Sequence, residues 1–211
     1  MTPIDVITSC YQEGESDCTT IATIKTAIAR FGINNVFAAL LAGGTWSVSF
    51  KDGTTLSVSD SDINSLKAIS GFTLIANPAN PNAQSIFDYA QFCFGVFVAN
   101  YAQKNNISID TASHAIDHGI NVFQDMQTPF SSYQYLGFKD SDVTMLTPDE
   151  GITDPAALSG NPVYLLCNLY HAVLASNAQY DEYGTPTNTN EFIRKHSKLF
   201  RGKTMWAYKF N

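Results

Sequence analysis

The segment from Ala83 to Lys104 narrows the possible folds of this chain more than any other. If it forms a helix, apolar side chains fall on every side, and such a helix must be covered all round. The side chains concerned are Ile86, Phe87, Tyr89, Phe92, Cys93, Phe94, Val96, Phe97, Val98 and Tyr101. The longest apolar run, Phe92 to Ala99, is too short to span a bilayer. We therefore expect a central helix within a single domain of 211 residues, 45% of which are apolar.

The patterns before about residue 131 are mostly helical, and those after it are typical of strands. Apolar side chains three and four residues apart predict a helix from about Asp17 to Phe31, ended by Gly32. The other elements predicted before residue 131 are a helical stretch at Val36–Leu41, a β-hairpin turning at Asp52-Gly53, and helices at about Asp62–Ile69 and Thr111–Asp117. From about residue 132 come short β-branched or aromatic runs, namely SYQYLGF, DVTMLT, PVYLLCNL, YHAVLAS and KTMWAYKFN. This order predicts an α+β fold, with a helical subdomain over about 1–130, a mainly antiparallel β subdomain over about 131–211, and a cleft where they meet.

The charge distribution argues against a nucleic-acid partner. The formal net charge is −7, and half of the twelve Lys and Arg residues lie after residue 190. An acidic body does not suit phosphate-backbone binding, so no nucleic-acid partner is expected.

The N-terminal sequence MTPIDVITSC lacks the pattern of a signal peptide, which predicts a cytoplasmic protein or one exported without a classical leader. The four cysteines form no CxxC pair, so we expect reduced thiols.

Cys18 is the strongest candidate for chemistry. It is predicted to lie in the first turn of a helix, where unpaired N–H groups and the helix dipole favour a thiolate. Glu13, Glu15 and Asp17 oppose this, because neighbouring anions raise the pKa of a thiol. Its position in the sequence, taken alone, favours the interpretation that Cys18 is a small buried apolar residue.

The residues around Cys18 suggest a nucleophile. The segment QEGESDCTTIATI, from Gln12 onward, resembles the Gln-containing loop and nucleophile helix of papain-like cysteine peptidases, most closely the calpain-like catalytic domain. Such chains carry a His roughly 130–150 residues after the Cys, and His171 follows Cys18 by 153 residues in a similar strand context, GNPVYLLCNLYHAVLAS. The resemblance implies that Cys18 is the nucleophile, His171 the base and Gln12 a donor to the oxyanion. It implies a protein or peptide substrate and no cofactor.

A catalytic histidine needs a partner that orients its second ring nitrogen. Candidates are Asn177, Asp181, Asn190 and Asn211. If a strand from Lys203 to Asn211 pairs antiparallel with one from His171 to Ser176, Asn211 lies beside His171. A strand running straight on from His171 would carry Asn177 about 20 Å away and Asp181 further. Asn211 also stands where the resemblance implies the third catalytic residue.

Three other interpretations remain open at this level. The chain could keep a papain-like fold as an inactive binding or adaptor module. The same thiol and imidazole could serve a deamidase or a transglutaminase-like enzyme. Third, His114 and His118 in HAIDH are four residues apart and could share a helix face as zinc ligands, although a helix end with two exposed histidines is the plainer interpretation.

Overall fold

The computed structural model describes residues 1–13, 18–117, 131–146, 163–167, 171–191 and 206–211. Within these ranges the chain combines helices with antiparallel sheets, which is the α+β class predicted from the sequence. The helices are α1 (Pro3–Ile7), α2 (Cys18–Phe31), α3 (Asp60–Ala68), α4 (Ala83–Asn105) and α5 (Ile109–Asp117), with two short 3-10 helices at Ser132–Leu136 and Asp140–Asp142.

The described strands form three sheets. Their bounds are β1 (Cys10–Gln12), β2 (Ala38–Ala42), β3 (Thr45–Ser49), β4 (Thr55–Ser59), β5 (Phe72–Leu74), β6 (Val143–Met145), β7 (Tyr164–Cys167), β8 (Ala172–Ser176), β9 (Gln179–Glu182), β10 (Thr185–Asn188) and β11 (Trp206–Phe210). A two-stranded sheet pairs β1 with β5, and a three-stranded sheet has the order β2-β3-β4. The six-stranded sheet has the order β10-β9-β8-β7-β11-β6, and each described pair in it is antiparallel.

The middle of helix α4, residues 92–100, is buried on all sides, as its sequence predicts. Its buried residues include Phe92, Phe94 and Phe97, and they belong to the main core together with residues of α2, β3 and β4. Asn106 ends the helix in the left-handed conformation, with φ 54°. Among the described residues, no helix combines the length and the apolar character needed to cross a membrane.

The predicted helical stretch at Val36–Leu41 is wrong. Residues 38–42 form β2, which pairs with β3 through a turn at Gly43-Gly44. Both glycines have positive φ, 57° and 76°, which fits the tight turn that a hairpin favours. Pairing with β3 therefore outweighs the strong intrinsic helix preference of the Ala and Leu residues. The neighbouring hairpin of β3 and β4 was predicted correctly, with Val48, Phe50, Leu56 and Val58 buried.

The six-stranded sheet packs one face against α2. Alternate residues of β7 and β8 divide between the two faces: Leu165 and Leu174 join the main core, whereas Leu166 and Val173 join a second cluster on the other side. Two predictions fail here. The run SYQYLGF contains the 3-10 helix Ser132–Leu136 instead of a strand. In addition, β11 pairs with β7 and β6 and not with β8.

Candidate active site

The thiol of Cys18 lies at the start of α2. Cys18 is the first helical residue and 7% of its surface is exposed. Residues at this end of a helix have backbone N–H groups without intrahelical partners, and these groups favour a developing anion. The helix packs against β8, and its buried apolar side chains include Ile21, Ile24 and Ile28. The N-terminus of α2 lies near Ala172, the first residue of β8.

Gln12 is the last residue of β1. The pairing of β1 with β5 places Gln12 opposite Phe72, and the backbone N–H of Glu13 donates to the carbonyl oxygen of Gly71 at 2.8 Å. The strand thus holds Gln12 in place just before residues 14–17, which lie outside the described ranges.

His171 immediately precedes β8 and is partly exposed. Its ring stacks on that of Tyr183, with centroids 6.3 Å apart and an interplanar angle of 28°. Tyr183 belongs to the turn between β9 and β10 and is 60% exposed. An exposed aromatic ring therefore lies beside the imidazole at the protein surface.

A single cleft brings the three predicted residues together. Gln12, Cys18 and His171 line it together with Asp181 and Tyr183, and its apolar walls are Ile21, Ala22, Ala172, Val173 and Leu174. The space open to a water-sized sphere is about 20 Å³, enough for about one water molecule. A thiol, an imidazole and a primary amide thus converge on a small pocket with apolar walls.

The other three cysteines are poor nucleophiles. None of the four cysteines is in a disulfide bond, and burial raises the pKa of Cys10, Cys93 and Cys167. The charge of Cys18 raises the pKa of Cys167 further, which indicates that these two sulfurs are close in space. Near the cleft, Cys167 therefore remains a protonated thiol, with its Sγ 3.7 Å from the carbonyl oxygen of Trp206.

Asn211 does not lie at this cleft. Trp206 is opposite Cys167, and Cys167 is opposite Ala172, so the start of β11 lies level with the start of β8. Asn211 follows the far end of β11, where its side chain bonds to the Thr144 hydroxyl at 3.0–3.1 Å. The Arg30 guanidinium, at the C-terminal end of α2, donates to the carbonyl of Phe210 at 2.8 Å. Asn211 and Cys18 therefore lie toward opposite ends of α2, which is about 20 Å long at 1.5 Å per residue.

The structure brings Asp181 to the cleft, contrary to the extended-strand argument. Asn177 and Ala178 have φ of 47° and 66° and form a two-residue turn, so the chain reverses at that point. Strand β9 then returns alongside β8 and places Asp181 in the cleft wall. The pair Asn177-Ala178 is a weak turn signal in the sequence, because the second position of such turns usually holds glycine.

Asp181 is paired with a buried lysine that sequence reasoning missed. The Lys25 ammonium lies 2.5 Å from the Asp181 carboxylate, and the lysine side chain is 1% exposed. The signal in the sequence is that Lys25 is the single charged residue between Cys18 and Ala29, in a segment otherwise made of Thr, Ala and Ile. A lone charge there predicts a buried partner.

The alternative zinc site receives no geometric support within the described residues. His114 is exposed and lies 3.7 Å from Asp110, its neighbour one turn earlier in α5. His118 lies outside the described ranges. Within those ranges no group of three or more His, Cys, Asp or Glu side chains is placed to hold a metal ion.

Comparison of the chain with family models, with curated proteins and with solved structures returned no match.

Proposed function

We propose that this chain is a papain-like cysteine peptidase domain that hydrolyses peptide or other amide bonds. One observation carries the proposal: Gln12, Cys18 and His171, which span 159 residues of sequence, line the same cleft. The residue types and their order match those implied by the sequence resemblance.

In the proposed reaction, His171 takes the proton of Cys18, and the thiolate attacks the amide carbonyl carbon to form a C–S bond. The carbonyl oxygen becomes an oxyanion that accepts hydrogen bonds from the Gln12 side chain and the N-terminal N–H groups of α2. The imidazolium of His171 gives its proton to the departing amine as the C–N bond breaks. Water, deprotonated by His171, then attacks the thioester; the C–S bond breaks, and the acid product leaves.

The surroundings of the thiol support Cys18 as the nucleophile. It lies at a helix N-terminus and is 7% exposed, whereas Cys10, Cys93 and Cys167 are at most 1% exposed and their burial raises the pKa of each thiol. The role of orienting His171, predicted for Asn211, receives no support from the strand register, and Asp181 is the acidic residue in the cleft wall.

The proposal is tested with a library of fluorogenic peptide amides. Cys18→Ala should abolish hydrolysis, and Gln12→Ala should lower kcat about 10²- to 10³-fold, the usual effect of losing one oxyanion donor. Cys10→Ala is the matched control, since Cys10 is a buried thiol outside the cleft lining, and it should retain activity.

Two outcomes would contradict the peptidase assignment. Hydrolysis that survives Cys18→Ala would exclude the thiol mechanism. A wild-type chain that cleaves no peptide, and whose Cys18 reacts with iodoacetamide no faster than a simple thiol, would favour the inactive binding module. Mass spectrometry of the products separates backbone cleavage from side-chain deamidation or amine transfer.

A further inference from the structure

Lys25 is a fully buried cation with three partners. Its ammonium lies 2.5 Å from the Asp181 carboxylate and donates to the carbonyl oxygens of Cys10 at 2.6 Å and Ile7 at 3.4 Å. Burying a charge is costly even when it is paired, and apolar residues of similar size often stabilise a fold as well or better. The contacts of Lys25 therefore call for an explanation other than stability.

These contacts join the three chain segments that carry the proposed active site. Lys25 is seven residues after Cys18, so both lie on nearly the same side of α2, about 10 Å apart along the axis. The Cys10 carbonyl belongs to β1, two residues before Gln12. Asp181 belongs to β9, which pairs with the strand that begins after His171.

The same ion pair is also connected to the turn that carries Tyr183, whose ring lies beside His171. The second carboxylate oxygen of Asp181 accepts a hydrogen bond from the Gly184 N–H at 2.7 Å. That bond closes the turn containing Tyr183, whose ring stacks on His171. A continuous chain of contacts thus runs from Lys25 through Asp181 and Gly184 to the turn over the imidazole.

We propose that Lys25 and Asp181 are positioning residues, which hold β1, α2 and β9 in register so that Gln12, Cys18 and His171 meet. This inference rests on the proposed peptidase function. Lys25 acts through Asp181 and the Cys10 carbonyl and lies beneath the cleft, outside its lining. Small displacements between a nucleophile and its base are enough to lower a rate about 100-fold.

The decisive variant is the double substitution Lys25→Met/Asp181→Asn. Lys25→Met alone leaves the partly buried Asp181 carboxylate without its cation and is expected to be strongly destabilised, so it cannot separate folding from positioning. In the double variant both charges are gone, and the amide oxygen introduced by Asp181→Asn can still accept from the Gly184 N–H. We expect a melting temperature within a few degrees of wild type, together with a kcat lower by about 10- to 100-fold and a nearly unchanged KM.

A second readout needs no substrate. The rate of Cys18 alkylation by iodoacetamide, followed by peptide mass spectrometry across pH 4 to 9, reports how well imidazole and thiol are paired. In the wild-type protein we expect Cys18 to be alkylated fast below neutral pH, because His171 takes its proton. In the double variant we expect this fast alkylation to be lost. The matched control is Lys104→Met/Asp52→Asn, which removes a partly exposed ion pair of 3.6 Å elsewhere in the fold and should change neither readout.

The outcomes separate the two proposals. If wild-type Cys18 shows no fast alkylation, the proposed peptidase function fails. If wild type reacts fast and the folded double variant keeps both its kcat and its alkylation profile, only the positioning inference is overturned. A loss of activity that merely follows a loss of folded protein would also overturn it, because the ion pair would then serve stability alone.

Discussion

At the scale of single residues, the sequence argument places Asn211 beside His171 and Asp181 far from it, and the structure shows the reverse. Asn211 bonds to Thr144 and, through its backbone N–H, to the carbonyl of Asp142 at 2.8 Å, so its side chain serves the junction between β6 and β11. Asp181 lies in the cleft wall. The difference follows from a single strand, β7, which lies between β8 and β11.

Asn211→Ala should therefore leave peptidase activity intact. We expect kcat/KM within about twofold of wild type, and a loss of no more than about 1 kcal/mol in the free energy of unfolding, because the lost hydrogen bond is exposed. Peptide hydrolysis and urea denaturation measure the two quantities. A tenfold drop in kcat/KM in a stable Asn211→Ala protein would contradict this placement.

Single residues also show the limits of reasoning from sequence. That Gln12, Cys18 and His171 lie close together could be predicted, because a short local pattern and a long spacing mark them. Asp181 and Lys25 could not be paired in advance, since they lie 156 residues apart and meet only after the chain reverses at Asn177-Ala178. A turn without glycine left that reversal unmarked.

At the scale of elements, the two hairpins of β8, β9 and β10 build the cleft wall. Both turns place non-glycine residues at positive φ, with Asn177 and Ala178 in the first and Tyr183 in the second. The left-handed conformation costs an L-residue other than Asn or Gly about 1–2 kcal/mol. Ala178 therefore carries a local strain that packing of the hairpin must outweigh.

Ala178→Gly should relieve that strain. The gain is partly offset by the greater freedom of glycine in the unfolded chain, roughly 0.5–1 kcal/mol, which leaves a net stabilisation of up to about 1.5 kcal/mol. The control is Ala115→Gly within α5, where φ is helical, and we expect it to destabilise by about 0.5–1 kcal/mol. Urea unfolding of both variants measures the difference; equal signs would refute the argument.

Element by element, prediction succeeded where the pattern was strong. The long helix α4, the hairpin of β3 and β4, and the strands β7, β8 and β11 follow from apolar periodicity and turn residues. The strand β2 is predicted as a helix because AALLA has no alternation of apolar and polar residues. All five of its residues are exposed, since β2 is an edge strand. The short strands β1 and β5 have only three residues each, too few for periodicity to reveal them.

At the scale of the whole molecule, the contact of Gly137 with Phe50 joins the three-stranded sheet to the chain that leads into β6. The Asp52 N–H donates to the Gly137 carbonyl at 2.9 Å, and a Cβ atom at Gly137 would overlap the Phe50 side chain. Gly137 also has a φ of 77°. Steric space and backbone conformation both require glycine at this junction.

Gly137→Ala should lower the free energy of unfolding by about 3 kcal/mol, from overpacking and left-handed strain together. Gly53→Ala is the matched control, because Gly53 has φ 89° but open space around its Cα, so only about 1 kcal/mol should be lost. Thermal or urea denaturation compares the two. Similar losses would show that the close approach to Phe50 is unimportant.

The long sequence separation between Cys18 and His171 has a consequence for the protein as it is made. A ribosome that has completed α2 must add well over a hundred residues before the imidazole exists, which takes roughly 8 to 30 s at typical rates of synthesis. Throughout that interval the nascent chain carries its thiol without a base. On the proposed function, a growing chain is unable to digest itself or its neighbours until the six-stranded sheet closes on the helix.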